Sequence, residues 1–220
     1  MSLITLLKRL KTLSSLHEEC HLWFVNLENI GTSEVVVAQS VLDDAEFKRM
    51  KNFYHLTHQN EFAICRFAAK KIIGDILGVF PEDVTFFYTK KGKPYLKDAG
   101  VEFNISHSKK NALIGISKHK IGVDIEFINR DEDILKTMDY FLSQDEKNWI
   151  LESNVWNRFY QIWTLKEARL KCDGEGITIS SFPNLIRNEN AEWQYPGYHM
   201  TSYSINDNYI CAICTSVLKF

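Results

Sequence analysis

Two rhythms of apolar and polar positions divide this chain. Over residues 43–53, and again over 60–77, apolar side chains return every three or four positions, with Phe62, Phe67, Ile72, Ile73, Ile76 and Leu77 marking the second run. That spacing lines one face of a helix, so two consecutive helices are predicted, the second closed by Gly78 and Pro81. Elsewhere the alternation is of period two, which sends side chains to opposite faces of a strand. Residues 21–27, 84–89, 101–108, 202–205 and 209–217 read as strands on this ground, and Lys90-Lys91-Gly92-Lys93-Pro94 reads as a turn. Runs 112–117 and 121–127 are separated only by Lys118-His119-Lys120, which predicts a hairpin. Ser143-Gln144-Asp145-Glu146 fits a capping box and starts a helix. A longer helix follows, with Trp156, Phe159, Tyr160, Trp163 and Leu170 on one face and Gly174 at its end. A short amphipathic helix is expected over residues 3–16.

The order strand, helices, strands thus occurs twice, once on each side of about residue 110. This predicts an α+β chain of two pseudo-duplicated lobes, residues 1–110 and 111–220, although no sequence repeat accompanies the repeated order. A length of 220 residues suffices for two such lobes, each with its own core. The formal net charge of -2 argues against a general electrostatic grip on nucleic acid, yet leaves room for a local basic pocket around a phosphorylated small molecule. No stretch approaches the roughly 18 apolar residues that would cross a bilayer, and the opening segment lacks the order of a signal peptide. Neither membrane insertion nor export is expected. The odd number of cysteines, five, fits reduced thiols in a cytoplasmic protein. Cys211 and Cys214 form a C-x-x-C pair, but on a strand that spacing faces them to opposite sides, so core packing is expected rather than a metal site.

Four groups of residues carry possible chemistry. In Ile121-Gly-Val-Asp-Ile-Glu-Phe127 a strand would bury Ile121, Val123, Ile125 and Phe127 on one face and set Asp124 beside Glu126 on the other. Two like charges side by side are tolerated if both face water or if a cation lies between them, and an all-oxygen pair suits Mg²⁺. Trp163, Glu167 and Lys171 follow at intervals of four on a helix, which places an acid and a base in line beyond an aromatic, or simply makes a surface pair. Phe103-Asn-Ile-Ser-His-Ser108 offers a histidine between two hydroxyls before a polar turn. Arg66, Lys70 and Lys71, with Lys90, Lys91 and Lys93, form basic groups suited to phosphate or to plain solvation.

In order and spacing, Gly92-Lys-Pro94, Phe103-Asn-Ile-Ser-His-Ser108, Ile121-Gly-Val-Asp-Ile-Glu126, Trp163-Thr-Leu-Lys-Glu167 and Lys171-Cys-Asp-Gly-Glu-Gly-Ile177 resemble the 4'-phosphopantetheinyl transferase superfamily, specifically its two-lobed Sfp type. The match spans roughly residues 40 to 180. The resemblance implies an active site in the cleft between the lobes and transfer of the phosphopantetheine arm of coenzyme A to a serine of an apo acyl or peptidyl carrier protein. It implies that Asp124, Glu126 and Glu167 hold Mg²⁺. Arg66 and Lys93 would bind the nucleotide end, Ser106 and His107 would contact phosphates, and Lys166 and Lys171 would bind phosphate and stabilise the leaving group. Glu167, Lys171 and His107 are then the catalytic candidates, with Glu167 as proton acceptor. Because one chain can form the cleft alone, a monomer is expected. The rival readings are a non-catalytic coenzyme A or carrier-binding module on the same fold, and an unrelated Mg²⁺-dependent phosphohydrolase.

Overall fold

A computed structural model describes residues 7–10, 20–174, 176, 182–188 and 190–217. Two antiparallel sheets stack in its centre, and helices cover their outer faces. The first sheet has the order β1 (Leu7–Leu10), β2 (Cys20–Asn26), β6 (Asn111–Ser117), β5 (Glu102–Ser108). The second has the order β10 (Tyr198–Asn206), β11 (Tyr209–Ser216), β7 (Ile121–Phe127). Two short pairs complete the strands: β3 (Phe87–Tyr88) with β4 (Pro94–Tyr95), and β8 (Ile186–Arg187) with β9 (Trp193–Gln194).

Alternation along the strands builds the layers. On β6, Ala112, Ile114 and Ile116 pack beneath α3 (Leu56–Leu77), with Val25, Phe103, Ala69 and Ile73 in the same core. Leu113 turns the other way and joins Ile121, Val123, Ile125, Cys211 and Ile213 between the two sheets. On β11 the alternate residues Ile210, Ala212 and Cys214 pack against α6 (Val155–Asp173). The result is an α+β molecule with four layers: helix, sheet, sheet, helix. Two helices that periodicity did not predict, α1 (Thr32–Ser40) and α4 (Ile134–Phe141), lie at its flanks.

The two halves repeat one device. At the start of α2 (Asp44–Lys51), Asp43 and Glu46 form a capping box, and at the start of α5 (Gln144–Glu152), Ser143 and Glu146 form another. Each box glutamate is fully buried and pairs with a buried lysine of the long helix that follows: Glu46 with Lys70 at 2.8 Å, and Glu146 with Lys166 at 2.8 Å. Each lysine also donates to a carbonyl two residues before its box, Val41 at 2.9 Å and Phe141 at 2.8 Å. The duplication absent from the sequence as a whole is therefore present in these contacts.

Three expectations fail. Residues 112–117 and 121–127 do not form a hairpin: β6 pairs with β2 and β5, while β7 crosses to pair with β11. Gly115 shows why, since a Cβ there would come within 2.6 Å of Val123 and 2.7 Å of Ile121, so β7 packs face-on against β6. The expected helix at the start is a strand where it is described, because residues 7–10 pair with β2; residues 3–6 and 11–16 lie outside the described residues. The strand expected over 84–89 shortens to Phe87 and Tyr88, as Val84 and Phe86 are drawn into the core under α3. The two C-x-x-C thiols do face opposite sides: Cys211 lies between the sheets and Cys214 beneath α6.

Candidate active site at the seam between the sheets

An unusual join brings the site together. Among the described residues β7 ends its sheet, and its outward amides have no strand to bond. Side chains from β5 take that role: Asn104 Oδ1 accepts from Val123 N at 2.8 Å, Ser106 Oγ from Ile125 N at 3.4 Å, and Ser108 Oγ from Phe127 N at 3.1 Å. Residues 104, 106 and 108 share one face of β5, so alternation lays their acceptors along the β7 edge.

The same hydroxyls then organise the carboxylates. Ser106 Oγ donates to Asp124 Oδ1 at 2.8 Å, and Ser108 Oγ donates to Glu126 Oε2 at 2.8 Å. Asp124 is 1% exposed, and its second oxygen, Oδ2, is buried with no hydrogen-bond partner. Gly122 allows α6 to lie directly on β7, because a Cβ there would collide with the Ala168 carbonyl oxygen and the Cys172 amide nitrogen. That close approach delivers Glu167 and Lys171. The Lys171 ammonium lies 2.5 Å from Asp124 Oδ1, 3.0 Å from Ser106 Oγ and 3.8 Å from Glu167 Oε2.

Electrostatics follow from this crowding. Burial, reinforced by the charge of Asp124, pushes the Glu126 carboxyl up to about 7 against the opposing pull of Ser108 and Lys171. Burial likewise raises Glu167 to about 7; Lys171 opposes that shift and Asp124 adds to it. Burial works against the charge of Lys171, but Asp124 and Glu167 outweigh it and hold the ammonium pKa above its usual range. Among the described residues, no three His, Cys, Asp or Glu side chains stand close enough together to hold a metal ion. The cation among these carboxylates is Lys171.

On the opposite face of β5 lies a cleft of about 340 Å³, lined by Arg49, His58, Phe62, Arg66, Gly92, Pro94 and His107 among others. Arg66 is 7% exposed, stacks over Phe62, Phe86 and Tyr88, and leaves its buried Nη1 without a hydrogen-bond partner. Glu46 lies 3.7 Å from its Nε and is already engaged by Lys70 at 2.8 Å. Desolvation lowers the His107 pKa, opposed by Glu61 and aided by the charges of Lys171 and His58.

Comparison with known proteins decides the family. A model described as the 4'-phosphopantetheinyl transferase superfamily matches residues 120–214, and one described as 4'-phosphopantetheinyl transferase, N-terminal, matches residues 30–119. The 4'-phosphopantetheinyl transferase HetI of Nostoc sp. is 32% identical over 181 residues, covering 79% of this chain and 76% of that protein. The chain belongs to the 4'-phosphopantetheinyl transferase superfamily. A putative 4'-phosphopantetheinyl transferase of Synechocystis sp. is 32% identical, with 71% of this chain and 67% of that one covered. The 4'-phosphopantetheinyl transferase Sfp of Bacillus subtilis is 24% identical, with 80% and 83% covered.

Within this superfamily member the expected site residues form two groups, with two lysines apart from both. Ser106, Asp124, Glu126, Glu167 and Lys171 meet at the seam. Arg66 and His107 line the cleft on the other side of β5, since neighbouring residues of a strand face opposite ways. Lys93 and Lys166 meet neither group: Lys93 Nζ donates to the carbonyls of Ile121 at 3.0 Å and Cys172 at 2.8 Å, and Lys166 is held by Glu146 and the Phe141 carbonyl. Sequence reasoning missed Asn104 and Ser108 as members of the seam, and Arg49 and His58 as part of the cleft wall. The i, i+2 spacing of Asn104, Ser106 and Ser108 was the available signal.

Proposed function

We propose that this chain transfers the 4'-phosphopantetheine arm of coenzyme A to a serine of an apo acyl or peptidyl carrier protein and releases adenosine 3',5'-bisphosphate. The observation that carries this reading is the seam cluster, in which the Lys171 ammonium lies 2.5 Å from Asp124 and 3.8 Å from Glu167 while Ser108 holds Glu126 on the same strand face, beside a cleft with an unsatisfied arginine. Family membership supports the same reaction. Asp124, Glu126 and Glu167 are not gathered about a common point here, where the Lys171 ammonium sits against Asp124; with that ammonium displaced they would hold a Mg²⁺ ion, for which an all-oxygen donor set and the orphaned Asp124 Oδ2 are suited. When bound, it would supply positive charge to the phosphoryl oxygens of coenzyme A.

The chain's own groups do the rest. Arg66 offers its free Nη1, and His107 its ring, to the phosphates at the nucleotide end of coenzyme A. Lys171, released from Asp124 by the incoming phosphates, neutralises charge that develops on the phosphoryl group and on the departing bisphosphate. The serine oxygen forms a bond to the β-phosphorus as the bond from that phosphorus to the bisphosphate breaks. Glu167, whose carboxyl titrates near 7, accepts the serine proton, because a base works best when its pKa lies close to the working pH. Ser106 keeps Asp124 oriented through its hydroxyl. The fold forms both the seam and the cleft within one chain, which supports a monomer. Among the described residues no helix is long and apolar enough to cross a membrane, and all five cysteines are free and buried, in keeping with a cytoplasmic enzyme.

The test is to mix the protein, coenzyme A, Mg²⁺ and an apo carrier protein, and to weigh the carrier. A gain equal to one phosphopantetheine group supports the reading. Coenzyme A binding with no gain on any of several carriers would leave a binding module, and phosphate release without carrier labelling would make the protein a hydrolase.

A further inference from the structure

Lys93 sits in a tight turn and reaches across to the other half of the molecule. The turn is fixed by Gly92, at φ 86°, and by hydrogen bonds from Gly92 N to Thr89 O and from Thr89 N to Lys93 O, each 2.9 Å. From there the side chain runs along Gly174, where an added Cβ would lie 3.1 Å from its Cδ. Its ammonium ends between the carbonyls of Ile121 and Cys172. The Lys120 carbonyl accepts from Ser216 on the β11 side, so the next carbonyl, that of Ile121, faces the unpaired edge of β7. The Cys172 carbonyl belongs to the last turn of α6, where helical partners run out and partial negative charge accumulates.

These contacts place one cation at the junction of three elements that matter to the site. Ile121 begins β7, three residues before Asp124; Cys172 follows Lys171 on α6, five residues after Glu167; and the turn presents Gly92 and Pro94 to the cleft. We propose that Lys93 is a positioning residue for phosphopantetheinyl transfer, setting the approach of Glu167 and Lys171 to the β7 carboxylates and tying that approach to the cleft wall, without itself binding coenzyme A. The proposal rests on the seam being the transfer site. It assigns the lysine of Gly92-Lys93-Pro94 to the protein's own carbonyls, in place of the nucleotide contact that the sequence resemblance implies for it.

Lys93→Met keeps the aliphatic stem along Gly174 and removes both hydrogen bonds. The expected result is a fall in kcat for carrier labelling of about 10- to 100-fold, the scale of a misplacement on the order of 1 Å. The Kd for adenosine 3',5'-bisphosphate, measured by calorimetry without carrier, is to stay within about twofold, and amide exchange over residues 168–174 is to quicken. Lys93→Arg, whose fork can still reach two carbonyls, is to recover most of kcat. A tenfold weaker Kd with kcat retained at saturating coenzyme A would make Lys93 a ligand residue and overturn the proposal. A lower Tm with unchanged kcat well below that temperature would reduce it to a structural contact and overturn it equally. Should Lys93→Met not fold, the wild-type ammonium, observed by nitrogen-15 NMR, is to keep its signal when the bisphosphate is added; a shift would sink the idea. Absence of carrier labelling by the wild-type protein would remove the transferase reading instead, and the exchange arm would still test the latch.

Discussion

At the scale of single residues, the site depends as much on Gly122 as on its charges. With no Cβ, Gly122 lets the backbone of α6 rest on β7, and only that approach brings Glu167 and Lys171 to Asp124. Gly122→Ala must separate strand and helix. Overpacking of this kind costs about 1–3 kcal/mol, so chemical denaturation is expected to show a loss in that range and carrier labelling a larger proportional loss. If activity were untouched, the helix would not need to lie so close. Glu167 makes a second residue-scale prediction. Glu167→Gln keeps shape and much of the hydrogen bonding but cannot accept a proton, so kcat is expected to fall by about 10²- to 10⁴-fold while the KM for coenzyme A changes little. Wild-type turnover in that variant at saturating Mg²⁺ would place the base elsewhere.

At the scale of elements, side chains replace a strand. Asn104, Ser106 and Ser108 satisfy the β7 edge, and Asn104 does so while 4% exposed. Asn104→Ala would leave the buried Val123 amide unpaired, a loss of about 1–3 kcal/mol by denaturation, and exchange at Val123 should rise most. Much of this architecture was legible beforehand. The facing of Asp124 and Glu126, the long helices and both Gly-stopped helix ends follow from local periodicity, and local periodicity is what sequence displays. The hairpin misreading arose because three intervening residues can serve either a turn within one sheet or a step between two stacked sheets, and only the packing of Val123 on Gly115 chooses. Lys166 shows the same limit of local reading. Its neighbours in sequence belong to the helix that carries Glu167 and Lys171, whereas its partner Glu146 comes from the preceding one, in a contact that repeats Lys70 with Glu46. Lys166→Met is therefore expected to destabilise by about 3–5 kcal/mol by stranding a buried carboxylate, and Glu146→Gln combined with it, which removes the charge while its amide oxygen can still accept from a backbone amide, to restore part of the loss. A single variant of native stability that bound coenzyme A poorly would show a ligand role instead.

For the molecule as a whole, the seam couples charge to stability. Glu126 and Glu167 both titrate near 7 in the folded chain, well above their unfolded value of 4.5, because they are buried and share the field of Asp124. Below that unfolded value both states carry the protons, and the folded state enjoys the full benefit of neutral carboxyls. Between 4.5 and about 7 the unfolded chain ionises first and binds fewer protons than the folded one, so stability falls as pH rises through this window and levels off above it. A divalent cation at these carboxylates reverses the penalty by favouring their charged forms, and it stabilises only the folded state. Thermal unfolding with chelator present should thus give a lower Tm at pH 8 than at pH 5.5, after comparison with an Asp124→Asn, Glu126→Gln, Glu167→Gln variant that removes the seam's contribution. Millimolar Mg²⁺ should raise the wild-type Tm at pH 8, raise it little at pH 5.5, and leave the triple variant unmoved. An equal shift at both pH values, or a shift retained by the triple variant, would mean that the ion binds elsewhere and that Lys171 alone balances the seam.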